Sequence, residues 1–209
     1  MVLDSKRNRV DFIMDPSARL LRNVHPNKIS LLALLIAVVA SLMLFFSDQW
    51  YALLILGALT VLVSGFFDGL DGKVARLSGK ASKKGDFVDH VLDRYADVLL
   101  IGSVAVSSWC NPYIGVLAII GVLLTSYMGT QAQAVGMGRH YGGVLGRADR
   151  MVLLIAMPIL QYFLLAAGSS SLDLMIIETN FLEIMMIWFA VVGNITAVQR
   201  AWTTYRAFK

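Results

Sequence analysis

The aspartates of one stretch, DGLDGKVARLSGKASKKGDFVDHVLD from Asp68 to Asp93, have the types and spacing for chemistry. Asp68 and Asp71 are three apart, and Asp89, Asp93 and Asp97 follow one another at intervals of four. On helices these spacings put each set on one face, and a helical hairpin would bring the two faces together. Carboxylates converging in this way cannot all stay ionised without a counter-charge. Divalent cations supply it, and an all-oxygen donor set suits hard ions such as Mg²⁺, Mn²⁺ or Ca²⁺. Cys110 is the only cysteine, which excludes a disulfide within the chain and a Cys-based metal site. Taken singly, each aspartate reads better as a helix-end charge paired with Lys80, Lys83, Lys84 or Arg94; the spacing of the set favours metal. Asp86 reads as a solvated charge at a helix start. Asp97 either extends the cluster or pairs with a neighbour. His90, one residue on from Asp89, is expected to point away from Asp89 and Asp93 in a structural role. Gly72 would weaken a helix by roughly 1 kcal/mol relative to Ala. It suits either a ligand lying against the backbone or close helix packing.

The elements that must position these groups lie in a membrane. The chain has 209 residues, 57% hydrophobic and 15% charged, whereas soluble domains carry about a quarter charged residues. The reading is an all-α integral membrane bundle of six spans. They run from Ile29 to Phe46, Trp50 to about Lys73, Phe87 to about Ser107, Pro112 to about Gly136, Met151 to Ala167 and Phe181 to about Val198. With six spans, every Lys and Arg falls toward one face, and the opposite connections carry only Asp48, Asp173 and Glu178. An odd number of spans would scatter the cations. The positive-inside bias therefore supports six and places both termini and the acidic stretch in the cytoplasm. The net charge of +4 reads as a membrane-face signature, with no nucleic-acid partner implied. Residues 1–28 form a juxtamembrane segment and residues 29–209 the membrane domain. Within the former, Val10, Ile13, Met14, Leu20, Leu21 and Val24 alternate with arginines. That pattern suits one or two amphipathic helices on the membrane surface, broken near Pro16. The polar start of the chain does not resemble a cleaved signal peptide.

Asp68-x-x-Asp71-Gly72-x-x-Ala75-Arg76, then eight residues, then Gly85-x-x-x-Asp89-x-x-x-Asp93, resembles the signature of the CDP-alcohol phosphotransferase family. The six-span plan and HPNKIS, His25 to Ser30 at the head of span one, are similar too. The resemblance implies transfer of a phosphoalcohol from a CDP-linked donor to an acceptor hydroxyl, with release of CMP. It implies that Asp68, Asp71, Asp89 and Asp93 hold metal, Mg²⁺ or Mn²⁺, as one ion or two. It further implies that Gly72, Ala75, Arg76 and Gly85 line the nucleotide, that Asp93 is the general base, and that the protein is a homodimer. Direct displacement is expected, because no activated Ser, Cys or His nucleophile stands out. Phosphoryl transfer depends on charge neutralisation and alignment, which such residues provide.

A second stretch, GTQAQAVGMGRHYGGVLGRADRMVLLI from Gly129 to Ile155, is basic and glycine-rich. Arg147 and Arg150, three apart, can both enter the bundle and bind a phosphate. Positive-inside topology accounts for them equally well. GRADR resembles the inositol-phosphate branch of the family, and the whole stretch most resembles its archaetidylinositol-phosphate synthases. That resemblance implies inositol 1-phosphate as acceptor and CDP-archaeol or CDP-diacylglycerol as donor. Arg139, Arg147, Arg150 and Arg200 are then the candidate acceptor-phosphate ligands, with Asp149 orienting the arginines. Glycerol 3-phosphate is the alternative acceptor. A cation transporter is the alternative of another class. Its acidic residues should recur at mid-membrane depth on several spans, whereas these cluster at one end of two.

Overall fold

The computed structural model describes residues 7–138, 142–173 and 178–208. Its helices are α1 (Arg7–Leu20), α2 (Pro26–Phe45), α3 (Ala52–Leu77), α4 (Lys83–Ala105), α5 (Pro112–Ala134), α6 (Arg147–Ala166) and α7 (Phe181–Ala207). A two-residue ribbon between α6 and α7 pairs β1 (Leu172–Asp173) antiparallel with β2 (Glu178–Thr179). The helix starts follow from local chemistry. Pro26 and Pro112 occupy the first turns of α2 and α5, where a missing N–H costs nothing. Asn111, Ser82 and Asn180 cap α5, α4 and α7 by accepting from the amides of Tyr113, Gly85 and Glu183.

Among the described residues, five helices are long and apolar enough to cross a membrane: Pro26–Asp48, which includes a 3₁₀ turn after α2, and α3, α5, α6 and α7. The chain is thus an essentially all-α, multi-pass membrane protein. The expectation of six spans is met for five. The remaining long helix, α4, carries Asp86, Asp89, His90, Asp93, Arg94 and Asp97 within its first two-thirds. Its crossing therefore cannot be read from composition alone.

α1 runs through Pro16 without the expected break. A proline near mid-helix removes one amide donor, and contacts with α3 hold the helix here. The Met14 side chain lies over Gly69, Asp15 pairs with Lys73, and Ala18 is buried against Leu70 and Val74.

α2 packs against both α3 and α4, α6 against α3, and α5 against α7. Small residues permit the tightest crossing. A Cβ on Gly121 would stand 2.9 Å from backbone atoms of α7, and one on Gly193 3.0 Å from the backbone of Gly121. At the end away from the aspartates, the indole of Trp109 donates to Ser47, Ser108 donates to Asp48, and Asn180 donates to the Trp109 carbonyl. These bonds tie the short connections together.

Candidate active site

The signature occupies the last turns of α3 and the first turns of α4. Between them the chain turns through Gly79, at φ 68°, where the Lys80 amide donates to the Ala75 carbonyl and the Gly79 amide to that of Arg76. This left-handed cap ends α3, and Ser82 begins α4 three residues later. The expected hairpin contact does not form: α3 and α4 barely touch, because α2 wedges between them. Side chains from two other helices meet the signature carboxylates, and one of them bridges the gap. Ser30, from α2, donates to the buried Asp71 carboxylate. Arg147, from α6, forks onto Asp68, with Nη1 2.7 Å and Nη2 2.9 Å from its two oxygens. The same Nη1 lies 2.7 Å from Asp93 Oδ1.

Asp68 and Asp93, on different helices, therefore converge on one cation. Their oxygens share a single nitrogen at contact distance, so both can reach one divalent ion. Asp93 Oδ1 is buried and makes no hydrogen bond of good geometry, which leaves it a lone pair for such an ion. Asp89, His90 and Asp93 each bring a ligand atom within 4.8 Å of the others. The donor set thus fits a hard metal ion. His90 departs from the expectation that it points away. Its Nδ1 is 3.7 Å from Asp89 Oδ2, and its Nε2 is 3.4 Å from Asp86 Oδ1. The helix separates neighbouring Cβ vectors by about 100°, but imidazole reaches around to the adjacent carboxylate.

Gly72 faces open space rather than a packed helix. A Cβ there would meet only the Arg76 guanidinium, at 3.5 Å. Arg76 is exposed, and Ala75 and Gly85 are half-buried. Close packing thus does not account for Gly72, and a concave backbone remains beside the carboxylates.

The arginines of the second stretch separate. Arg150 is 2% exposed and donates from Nη1 to the buried Asp97, at 2.9 Å. Asp97 also lies 3.5 Å from Arg94 Nη2, so it belongs to an internal ion-pair network beside the site. Arg200 gives its Nε to the Gly142 carbonyl at 2.8 Å and Nη1 to the Thr125 carbonyl at 2.6 Å. Asp149 accepts from the Gly146 amide at the start of α6, which caps its own helix rather than orienting arginines. Arg139 lies outside the described residues. Sequence reasoning missed Ser30, whereas Arg94 pairs with Asp93 and Asp97 as one of the cations it named for the aspartates. The one signal for Ser30 was its place in HPNKIS.

The family model of CDP-alcohol phosphatidyltransferases matches residues 23–199. This chain belongs to that family. Among similar proteins is an archaetidylinositol phosphate synthase of Pyrococcus horikoshii, 30% identical over 63% of this chain and 67% of its own. A phosphatidylinositol phosphate synthase of Streptomyces avermitilis is 26% identical over 93% of this chain and 78% of its own. The phosphatidylinositol phosphate synthase of Mycobacterium tuberculosis with CDP-DAG bound superposes with a TM-score of 0.71 at 26% identity, covering 92% of this chain and 94% of that one. Its complex with manganese and citrate gives 0.70 at 26% identity, over 92% and 88%. As a CDP-alcohol phosphotransferase, the protein is an enzyme of phospholipid biosynthesis from a metal-dependent family. That removes the transport reading.

Proposed function

We propose that this CDP-alcohol phosphotransferase transfers the phospholipid moiety of CDP-archaeol or CDP-diacylglycerol to inositol 1-phosphate and releases CMP. The observation that carries the reaction is the convergence of Asp68 and Asp93 on one point, beside an open backbone at Gly72. The inositol 1-phosphate acceptor is supported by the names of the similar synthases. Asp68, Asp71, Asp89 and Asp93 would hold one or two divalent ions, Mg²⁺ or Mn²⁺. When bound, these neutralise the diphosphate and the oxygens that attack and leave. Gly72 and Ala75 leave room for the nucleotide, Gly85 sets the first turn of α4, and Arg76 neutralises phosphate. Asp93 takes the proton of the acceptor hydroxyl as its oxygen attacks the lipid-side phosphorus. The bond from that phosphorus to the bridging oxygen breaks, and CMP carries the electron pair away. The Arg147 guanidinium stands between Asp68 and Asp93, and Arg147 is the acceptor-phosphate candidate nearest the base. Arg139 remains a candidate in that role, Arg150 supports the site only structurally, through its ion pair with Asp97, and Arg200 through its hold on residue 142.

The finer membrane arrangement belongs to the same proposal. α4 crosses as the sixth span, its charged stretch at the cytoplasmic surface, so that residues 29–209 form one membrane domain with both termini inside. Residues 1–28 lie on the membrane: Phe12, Ile13 and Leu20 of α1 are 87%, 60% and 83% exposed, while Ala18 and Met14 face α3. The protein works as a homodimer in lipid.

The test is CMP release by purified protein in detergent with Mg²⁺ and a CDP-lipid, adding inositol 1-phosphate, glycerol 3-phosphate, serine or inositol separately. Release with inositol 1-phosphate alone is expected. Release with glycerol 3-phosphate alone would keep the reaction and replace the acceptor.

A further inference from the structure

α2 carries no carboxylate, yet one of its side chains reaches the signature. Ser30 donates its hydroxyl proton to Oδ2 of Asp71, and both residues are buried. The hydroxyl has a second acceptor, the Pro26 carbonyl one turn back at 3.3 Å. It has one proton to give, and the carboxylate is both the nearer and the charged acceptor. Local sequence sets where Ser30 stands. Pro26 opens α2, and His25 caps it by accepting from the Asn27 amide. The next-door Ile29 is buried in one cluster with Ala18, Leu70 and Val74, and Leu70 immediately precedes Asp71 on α3. Packing Ile29 into the cluster that holds Leu70 brings Ser30 level with Asp71. The α2–α3 crossing has a polar tie of its own elsewhere. About one turn further along α2, the Ala33 carbonyl accepts from Ser64 of α3 at 2.9 Å, beside the buried small residues Ala33, Ala37 and Ala40. Ser30 instead borders the site. It lines a small cavity with Asp68, Asp97 and Arg147, and Asp71 itself lies within electrostatic reach of Asp68 and Asp89.

We infer that Ser30 is a positioning residue for metal binding, acting through Asp71. A carboxylate turns easily about its last side-chain bond, so an unheld one meets an ion in many orientations. The Ser30 hydroxyl holds one oxygen of Asp71, fixes the plane of the carboxylate and leaves the other oxygen to the ion. Hydrogen-bond partners behind a metal-ligating group set its orientation in this way. The inference rests on the reading above that Asp71 is a metal ligand, and it makes α2 a working part of the site as well as a wedge between α3 and α4.

The experiment titrates Mn²⁺ into wild type, Ser30→Ala and Ser30→Thr in detergent, without substrates, and follows the free ion by electron paramagnetic resonance. Ser30→Ala should weaken Mn²⁺ binding roughly 10- to 100-fold, the usual loss when such a partner is removed. Ser30→Thr keeps the hydroxyl and should restore most of the affinity. In CMP release by Ser30→Ala, the Mn²⁺ concentration for half-maximal rate should rise by the same factor, while the acceptor KM at saturating Mn²⁺ holds. Thermal unfolding in EDTA keeps a packing role separate. The Ser64 tie should keep Ser30→Ala folded, and a merely structural Ser30 would lower Tm without moving Mn²⁺ affinity. An unmoved affinity in folded Ser30→Ala would overturn the positioning role and leave the metal reading standing. So would a loss that Ser30→Thr shares in full, since the hydroxyl would then not be what matters. A wild type that binds no Mn²⁺ would overturn the metal reading, and the role of Ser30 with it.

Discussion

At the scale of single residues, the structure divides carboxylates and arginines that the sequence presents as equals. Asp68 and Asp93 meet at Arg147, Asp71 accepts from Ser30, and Asp89 lies beside His90 and Asp93. Replacing Asp68 or Asp89 with Asn should lower CMP release at least ~100-fold, the usual scale for losing preorganised charge at a reacting phosphorus. The protein should still elute as a single folded species in size-exclusion chromatography. Full activity in either variant would count against a metal role. Arg150 now reads as structural, because it is 2% exposed and tied to Asp97. Arg150→Ala leaves Asp97 a buried charge with one arginine fewer, which should cost roughly 3–5 kcal/mol. A lowered Tm that the Asp97→Asn, Arg150→Met double variant partly restores would support this, and an acceptor KM effect at unchanged Tm would contradict it.

At the scale of elements, two backbone devices place the site. The cap at Gly79 ends α3 at a left-handed residue, so Gly79→Ala is strained by about 1–2 kcal/mol and should lower Tm modestly. The α5–α7 crossing is less forgiving. At Gly121 an added Cβ meets the backbone of Phe189 and Asn194, which cannot swing aside as a side chain can. Gly121→Val or Gly193→Val should cost more than the 1–3 kcal/mol of ordinary overpacking. The expected reading is aggregation or loss of monodisperse protein in detergent. Through Thr196, whose hydroxyl accepts from the Leu145 amide, and Arg200, α7 also pins the connection that delivers Arg147. Distant packing and site geometry are thereby coupled.

At the scale of the whole molecule, charge distribution makes a statement about orientation. A Cys at Asp48 and a Cys at Ser78 should label from opposite sides of a sealed vesicle, Ser78→Cys from the cytoplasm. The resident cysteine does not interfere. Cys110 is buried, and burial, with the Glu183 carboxylate second, pushes its thiol up to about 11, so it stays a neutral, slow-reacting thiol. Labelling of both positions from one side would refute six crossings.

The sequence by itself determined the membrane class, the family and the facing of the aspartates on each helix. These follow from hydropathy, from a fixed signature and from helical period, all local or linear properties. Even the starts of α2 and α5 were legible, because Pro26 and Pro112 specify their own first turns. Only the tertiary structure decided what stands between those faces. α2 is wedged between α3 and α4, Ser30 reaches Asp71, and Arg147 crosses from α6 to bridge Asp68 and Asp93. It also decided that Arg150 and Arg147, three residues apart, serve different carboxylates, and that His90 turns back to its neighbours. Such pairings join residues as many as 79 positions apart along the chain. Spacing along one helix fixes a face, but the partner that meets it depends on how separate helices pack.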